Sequence, residues 1–235
     1  MLAYLAIAYL LAAVPFALVV STLWGGDEDV RTSGSGNPGA TNVARLYGWK
    51  LGGPVMALDI CKGLVPVLGA RLLWPDLDVW FAGPVAIVVF LAHCFPVYLE
   101  FRGGKGVATG AGAMLALAPI PTLIAAVIWI GLVLLTGRAS VAGMASALAL
   151  VGLTFWIQPA MGWLVLLLAI AVLATHTPNI RRLWRGQESK VVRATRWSRR
   201  PGGNPLEALQ EGPAGVLHGG AAWSASAPST ETPDT

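Results

Sequence analysis

The sequence predicts an all-α protein, a polytopic bundle of transmembrane helices. Of its 235 residues, 55% are hydrophobic and only 12% are charged, and the mean hydropathy is +0.65. This composition is too apolar for a soluble domain of this size. The apolar residues also come in blocks close to the roughly 20 residues that a helix needs to cross a bilayer. A membrane barrel would instead require strict alternation of apolar and polar residues.

Seven apolar segments are the candidate spans. In chain order they are 1–24, 50–73, 79–99, 106–119, 120–136, 141–157 and 160–176. The first has no basic start and is long enough to span, so we expect a retained helix and not a cleaved signal peptide. Only the prolines at 119 and 121 divide the fourth segment from the fifth, so a single long helix is the alternative there.

The basic residues decide between six and seven spans. Cytoplasmic loops are enriched in Lys and Arg. Loops 25–49, 100–105 and 137–140 contain such residues, as does the C-terminal part, whereas loops 74–78 and 158–159 contain none. Seven spans with an external N-terminus place every basic loop on the cytoplasmic side, and six would split them. We therefore favour seven spans and a cytoplasmic C-terminus.

The net charge of +4 comes largely from the segment after the last span, where basic residues are dense between 181 and 200. Such a cluster suits an anionic cytoplasmic membrane surface. No nucleic-acid motif accompanies it, so we expect no nucleic-acid partner. We expect residues 1–190 to form the membrane domain. Residues 191–235 are rich in Pro, Gly, Ala and Ser, which predicts a disordered cytoplasmic tail.

A polar loop, residues 31–45, interrupts the apolar chain early. It holds three glycines, four hydroxyl side chains, two asparagines and an arginine at each end. Glycine lets backbone N–H groups approach an anion closely, and hydroxyls, amides and arginine can complete a phosphate cradle. The alternative is a flexible connector, because loops of this composition are common.

A second polar segment, residues 100–109, lies where the fourth span begins. Its glycines, Lys105 and the helix N-terminus are placed to converge on one anion. The segment does not match the Walker pattern, because Lys105 is followed by Gly106 and no strand precedes it. Nucleotide hydrolysis is therefore not predicted.

The third polar segment, residues 176–188, directly follows the last span. His176 and Asn179 are three positions apart, so on a helical turn they would face the same ligand. The alternative is that His176 only caps the end of the helix.

Ionisable residues inside the spans are costly and point to function. Asp59 and Lys62 lie one helical turn apart, and they either neutralise each other or contact substrate. His93 lies near the inner end of the third span and either binds substrate or packs with a hydrogen bond. With seven spans, these residues, Ser140 and the three polar segments share one face. We therefore expect a single anion-binding site there.

Four groups of residues closely resemble the bacterial acyl-phosphate glycerol-3-phosphate acyltransferases, the PlsY family. They run in order over residues 1–190. They are the segment 34–42 with Arg45, Asp59-x-x-Lys62-Gly63, His93-x-Phe-Pro with the segment 103–109, and His176-x-x-Asn179-Ile with Gly186-x-Glu188. Two positions depart from the family pattern. Thr175 stands where a basic residue is usual, and Ala139 replaces a more aromatic pattern before Ser140.

The resemblance implies transfer of an acyl group from acyl phosphate to the 1-hydroxyl of glycerol 3-phosphate. The products would be lysophosphatidic acid and inorganic phosphate, in the first acylation of phospholipid synthesis. It also implies a bacterial plasma (inner) membrane protein, an active site at the cytoplasmic face, and an upstream enzyme that makes acyl phosphate. We expect no metal and no cofactor, because a mixed anhydride is already activated.

The polar segments and the resemblance together assign the site residues. The expected catalytic residues are Ser35, Arg45, Lys105, Ser140, His176 and Asn179. The expected substrate-binding residues are Gly34, Gly36, Asn37, Thr41, Asn42, Lys62, His93, Gly103, Gly104 and Gly106. Asp59 and Glu188 are expected to be structural.

The sequence does not decide which group takes the hydroxyl proton. The candidates are His93, His176 and a phosphate oxygen of the substrate itself. We favour the substrate oxygen. The alternative function is an organophosphate transporter, which would also need cationic residues beneath a membrane face and helices broken by Gly and Pro. No inverted repeat is visible in the sequence.

Overall fold

The computed structural model describes residues 1–24, 26 and 28–191, and every regular element within these ranges is helical. The all-α membrane bundle predicted from the sequence is thus confirmed. The helices are α1 Leu2–Ala12, α2 Phe16–Leu23, α3 Ala40–Tyr47, α4 Trp49–Leu73, α5 Asp78–Cys94, α6 Val107–Leu117, α7 Pro119–Thr136, α8 Ala139–Ile157, α9 Gly162–Thr175 and α10 Thr177–Trp184. Short 3₁₀ turns cover Val97–Leu99 and Pro159–Met161.

The predicted tail, 191–235, lies outside the described residues apart from Val191. That residue is buried, and its N–H donates to the carbonyl of Gly137 at 2.7 Å. The described part of the C-terminal segment therefore packs back on the loop between α7 and α8.

Four helices are individually long and apolar enough to cross a bilayer, namely α4, α5 with the following turn, α7 and α8. Two bent pairs also qualify when each is taken as one span, which raises the number in the described residues to six. In the first pair, α1 and α2 meet at 41° around Pro15, because proline has no N–H to continue the helix. The second pair, α9 and α10, meets at 55°.

α6 is the short member of the set. It has eleven residues, or about 16 Å at the usual helical rise, which is roughly half of a hydrocarbon core. Its last carbonyls nevertheless accept from residues near the predicted external loops. Arg71 Nη1 donates to Ala116 at 2.6 Å, and Gln158 Nε2 donates to Leu117 at 2.9 Å. α6 and α7 are separate helices, and the total of seven spans remains a prediction.

Two glycines bring α6 against α4 at backbone contact. A Cβ on Gly63 would overlap the carbonyl oxygen of Thr109, and a Cβ on Gly112 would overlap the carbonyl oxygen of Ile60. Small residues at such crossings are the usual means of packing helices closely inside a membrane. This contact fixes the start of α6, which begins two residues after Lys105.

α3 is a helix within the segment treated above as a loop. Val43 and Ala44 are buried on its inner side, and Gly52 of α4 lies so close that a Cβ there would overlap Ala44. The sequence of α3 is mostly polar on its other side, which places Thr41 and Arg45 next to the site described below.

α5 lies at the centre of the larger core, where Val85, Val89 and Phe90 are almost fully buried. Large apolar side chains elsewhere face outward. Trp80 and Leu135 are 89% and 84% exposed, which suits a surface solvated by lipid.

Candidate active site

A cavity of about 410 Å³ lies within the bundle, with one polar end and one apolar end. The apolar end runs between α6, α7, α8 and α9, where Met114, Trp129 and Leu150 are among its lining residues. All six residues predicted to be catalytic line the polar end. The polar residues of the lining there are Ser35, Asn37, Thr41, Asn42, Arg45, Asp59, His93, Lys105, Ser140, His176, Asn179 and Glu188.

Asn42 holds the polar loop together. Its side-chain nitrogen donates to the carbonyls of Val30 at 2.8 Å and Ser33 at 3.0 Å. Its oxygen accepts from the N–H of Ser35 at 2.8 Å and from Arg45 Nη1 at 3.1 Å. Every donor and acceptor position of the amide is therefore used inside the protein. The loop is a fixed structure that presents Ser35 and Arg45.

Arg45 is a cation without an acidic partner in the described part of the chain, since none of the ion pairs there includes it. Its Nε is buried and has no hydrogen-bond acceptor among the described residues. Burial lowers the pKa of the guanidinium, but an arginine remains charged in proteins. A buried N–H without an acceptor is costly, and the residue that carries it lines the cavity.

The loop before α6 is anchored to the end of α5 by its backbone. The N–H of Gly103 donates to the carbonyl of Cys94 at 3.0 Å, and the N–H of Gly104 donates to the carbonyl of His93 at 3.1 Å. These two bonds fix the residues immediately before Lys105. The position of that lysine therefore depends on the end of α5.

Lys105 is also fixed from the other side, because its carbonyl accepts from Thr175 Oγ1 at 3.1 Å. Burial lowers the pKa of its ammonium to about 8; the Glu188 carboxylate acts against this shift, and Arg182 and Arg45 add to it. The ammonium is therefore a cation that burial and neighbouring positive charge disfavour, so an anionic ligand would stabilise it.

Three helices begin at the polar end of the cavity. Their first-turn residues line it, and in none does a side chain cap the first turn. Uncapped N–H groups and the helix dipole favour anions at such a position. These first-turn residues are Ala40 and Thr41 in α3, Val107 and Ala108 in α6, and Ala139 and Ser140 in α8.

Glu188 gathers three donors at the rim of the cavity. Its Oε1 accepts from Ser140 Oγ at 2.6 Å and from Asn179 Nδ2 at 2.7 Å, and its Oε2 accepts from Arg182 Nε at 2.8 Å. Burial alone would raise the pKa of this carboxyl, but hydrogen bonds from the three donors outweigh burial and lower it. The Ser140 hydroxyl already donates to Glu188, so it is left to accept hydrogen bonds from a ligand.

His176 is held in one orientation. Its Nδ1 lies 2.8 Å from the carbonyl of Val172, and a carbonyl only accepts, so Nδ1 carries the proton. In the neutral ring, Nε2 is then the acceptor. One turn further on, Asn179 has a buried Oδ1 without a donor among the described residues. Both residues line the cavity, and each has an acceptor atom that no described hydrogen bond uses.

Five of the predicted substrate-binding residues do not line the cavity. Gly34 and Gly36 have φ of +65° and +69°, so glycine is needed there to form tight turns. Gly103 and Gly104 pack against the end of α5. Lys62 turns away, with its Nζ 2.8 Å from Asp59 Oδ1 and 3.0 Å from the carbonyl of Val14.

The apolar end of the cavity was not assigned from the sequence. Ala139, Gly143 and Ala147 are small residues four positions apart, and they leave room along one face of α8. This pattern could have indicated the apolar end of the cavity. Thr175 and Arg182, which hold Lys105 and Glu188 in place, were also missed. Among the described residues, no group of three or more His, Cys, Asp or Glu side chains is placed to hold a metal ion.

The chain is similar in sequence to one family of known proteins. Residues 2–186 match the family described as glycerol-3-phosphate acyltransferase. A relative of that name from Cronobacter sakazakii is 40% identical over 193 residues, which cover 82% of this chain and 90% of the relative. Another from Anaeromyxobacter dehalogenans is 42% identical over 189 residues, which cover 78% and 93%.

Two solved structures are also similar. Both are crystal structures described as PlsY (YgiH), an integral membrane glycerol 3-phosphate acyltransferase. The glycerol 3-phosphate form has a TM-score of 0.75 and 31% identity, and the match covers 88% of this chain and 98% of that one. The lysophosphatidic acid form has a TM-score of 0.73 and 32% identity, with 80% and 94% covered.

Proposed function

The chain belongs to the glycerol-3-phosphate acyltransferase family and is an acyltransferase, and we propose that its donor is acyl phosphate. The acceptor is the 1-hydroxyl of glycerol 3-phosphate, and the products are lysophosphatidic acid and inorganic phosphate. The two similar crystal structures are described as the glycerol 3-phosphate form and the lysophosphatidic acid form of the relative. This supports the proposed acceptor and product.

The observation that carries the proposal is that one cavity joins a cationic end to an apolar end. Both substrates carry phosphate, and the donor also carries a long hydrocarbon chain. Arg45 and Lys105 provide positive charge at the polar end, and the helices α6 to α9 provide an apolar passage for the chain. A small, fully water-soluble substrate pair would have no use for the passage.

We assign glycerol 3-phosphate to the part of the polar end that Arg45, His176 and Asn179 line. The guanidinium of Arg45 would donate to its phosphate. The Nε2 of His176 and the Oδ1 of Asn179 are acceptors suited to its two hydroxyl groups. Asn37 and Thr41 line the same wall.

The phosphate of the donor is assigned to Lys105, Ser35 and the uncapped start of α6, where Gly106 has the left-handed φ of +77° that brings its backbone to the cavity. These groups would stabilise the charge that develops on the departing phosphate and on the carbonyl oxygen. Ser140 acts mainly through its bond to Glu188, which keeps that rim in place. An anhydride needs little more than positioning and charge stabilisation.

The chemical step is a direct transfer. The 1-hydroxyl oxygen attacks the acyl carbonyl carbon, the bond from that carbon to the phosphate oxygen breaks, and inorganic phosphate leaves. Because the acceptor hydroxyl attacks directly, no acyl-enzyme forms. The hydroxyl proton passes to a phosphate oxygen of the substrate, so no further reactant is needed. His176 orients the hydroxyl through its Nε2. If a histidine were the base, folded His176→Ala or His93→Ala would lose nearly all turnover.

We also propose the bacterial plasma (inner) membrane as the location, with the polar end of the cavity at the cytoplasmic face. The basic residues around that end, which include Arg102, Arg138 and Arg185, support this orientation. Acyl phosphate would then be supplied from the cytoplasm by an upstream enzyme.

A donor comparison in detergent tests the proposed function. Purified protein would receive labelled glycerol 3-phosphate with either a long-chain acyl phosphate or the matching acyl thioester. We expect lysophosphatidic acid only from the acyl phosphate, with one phosphate released per lysolipid. Product from the thioester alone would contradict the proposed donor. Uptake of glycerol 3-phosphate into liposomes without any product would favour the transporter.

A further inference from the structure

His93 is buried at the last turn of α5, and both sides of its ring are engaged. Its Nδ1 lies 3.0 Å from Thr109 Oγ1, in the first turn of α6. Asp59 Oδ1 lies 3.7 Å from the same nitrogen and is itself paired with Lys62. The imidazole is therefore fixed by the helices on either side of it.

The opposite edge of the ring faces Gly104. A Cβ built on Gly104 would overlap Nε2 of His93, and the next nearest atoms, at 2.9 and 3.1 Å, also belong to that imidazole. Gly104 does not have a left-handed φ, so space alone requires glycine at this position. No other residue supplies any of the three nearest atoms.

We propose that His93 is a positioning residue whose imidazole supports the loop at Gly104 and thereby places Lys105 in the cavity. Lys105 directly follows Gly104, so a shift of the loop moves the ammonium. The His93 ring is held on its Nδ1 side by the hydroxyl of Thr109 and by the buried pair of Asp59 and Lys62. The consequence for activity rests on the proposed function, in which Lys105 binds the donor phosphate.

This geometry also argues against His93 as the base. A general base must lie within hydrogen-bonding reach of the proton that it takes. Nδ1 of His93 is occupied by Thr109, and Nε2 is directed at Gly104. His93 lines the cavity, but the groups next to its two ring nitrogens are Thr109 and Gly104.

Paired substitutions test the proposal. Gly104→Ala introduces a Cβ whose three nearest atoms all belong to the His93 ring, so we expect it to lower kcat/KM at least 20-fold. His93→Ala alone should lower it less than 10-fold, because the backbone bonds from Gly103 and Gly104 remain. In the double variant the ring is gone, and kcat/KM should rise at least fivefold above that of Gly104→Ala.

Gly103→Ala is the matched control. Its Cβ would overlap the carbonyl oxygen of His93, the carbonyl oxygen of Cys94 and the ring of Pro96. Removing the imidazole relieves none of these contacts. We therefore expect no recovery when Gly103→Ala is combined with His93→Ala.

Melting temperatures in detergent are measured for the same variants, so that the packing is tested independently of the reaction. Recovery at position 104 and not at 103 supports the proposal in either measurement. Equal recovery at both positions, no recovery at either, or complete loss of turnover in folded His93→Ala would overturn it. If the unsubstituted protein transfers no acyl group, the proposed function fails, and the melting temperatures still decide the role of His93.

Discussion

Asn42 was predicted to bind substrate, and in the structure its amide is occupied by the protein. Val30, Ser33 and Ser35 each have a backbone group that depends on it, and Arg45 is oriented by the same oxygen. Asparagine in a polar loop is equally compatible with ligand contact and with loop closure. Only the positions of the distant backbone groups distinguish the two roles.

Replacement of Asn42 with alanine should therefore destabilise the protein. It leaves the carbonyls of Val30 and Ser33 and the N–H of Ser35 without their partner, at a cost of about 3 kcal/mol in unfolding free energy. A fall in the melting temperature in detergent would show this. Asn37→Ala is the control, because Asn37 also lines the cavity but forms no such set of side-chain bonds with the residues that the structure describes. Equal stability of the two variants would contradict the role given to Asn42.

Lys105 leads to a prediction for the pH dependence. The lowered pKa of about 8 means that the free protein loses this cation as the pH rises through 8. If the cation binds donor phosphate, kcat/KM should fall about tenfold per pH unit above that point.

Lys105→Arg tests the assignment, since arginine stays protonated over the whole pH range measured. Its activity at pH 7 should be lower, because the guanidinium is bulkier, but its profile should stay level up to pH 9. The rates are corrected for hydrolysis of acyl phosphate without protein. An unchanged descending limb in Lys105→Arg would assign the titration to another group.

At the scale of single residues, the sequence predicted which residues lie at the site better than it predicted the role of each one. The six predicted catalytic residues all line one cavity, because the three polar segments that contain five of them meet at its polar end. The glycines were different. Their predicted role was close approach to an anion, but Gly34 and Gly36 serve positive-φ turns. Backbone dihedrals are not visible in residue types alone.

At the scale of helices, apolar blocks predicted the long elements well. α4, α7 and α8 begin and end within about two residues of the predicted spans. α3 was missed, because its stability comes from packing Val43 and Ala44 against α4 and not from an apolar run. The break at Pro15 was missed as well, although proline within a span is a known cause of a kink.

The crossing of α4 and α6 can be tested at Gly63. A Cβ there would overlap the carbonyl oxygen of Thr109, so Gly63→Ala should force the helices apart at a cost of about 2 kcal/mol. Turnover should also fall, because α6 begins next to Lys105. Gly53→Ala, on the same helix with no atom near its Cβ, should leave both quantities nearly unchanged. Identical behaviour of the two variants would contradict the close crossing.

At the scale of the whole molecule, the basic loops surround one end of the bundle. Thr175, which adjoins the last polar segment, bonds to Lys105, and that segment also bonds to Ser140, so loops 100–105 and 137–140 lie on the same side. Charge counting along the chain predicted this arrangement. It could not predict the cavity, because the order of residues does not show which helix faces leave space between them.

Cysteine labelling tests this topology. After Cys61 and Cys94 are replaced, single cysteines would be placed at Asp76, Arg102 and Arg138 and treated with a membrane-impermeant maleimide. With seven spans, we expect Asp76→Cys to react on intact cells and the other two only after permeabilisation. Reaction of Arg102→Cys and Arg138→Cys from opposite sides would exclude the shared face.

The most direct test of the central claim is to locate the acyl chain in the protein. Lysophosphatidic acid with a photoreactive group near the end of its chain would be cross-linked to the protein, and the adducts mapped by mass spectrometry. We expect adducts on residues of the apolar end, Thr122, Ala126, Trp129 and Leu150, and their loss with excess unlabelled product. Adducts spread over the outward-facing Trp80, Leu134 and Trp156, unaffected by competitor, would contradict a single cavity for acyl transfer.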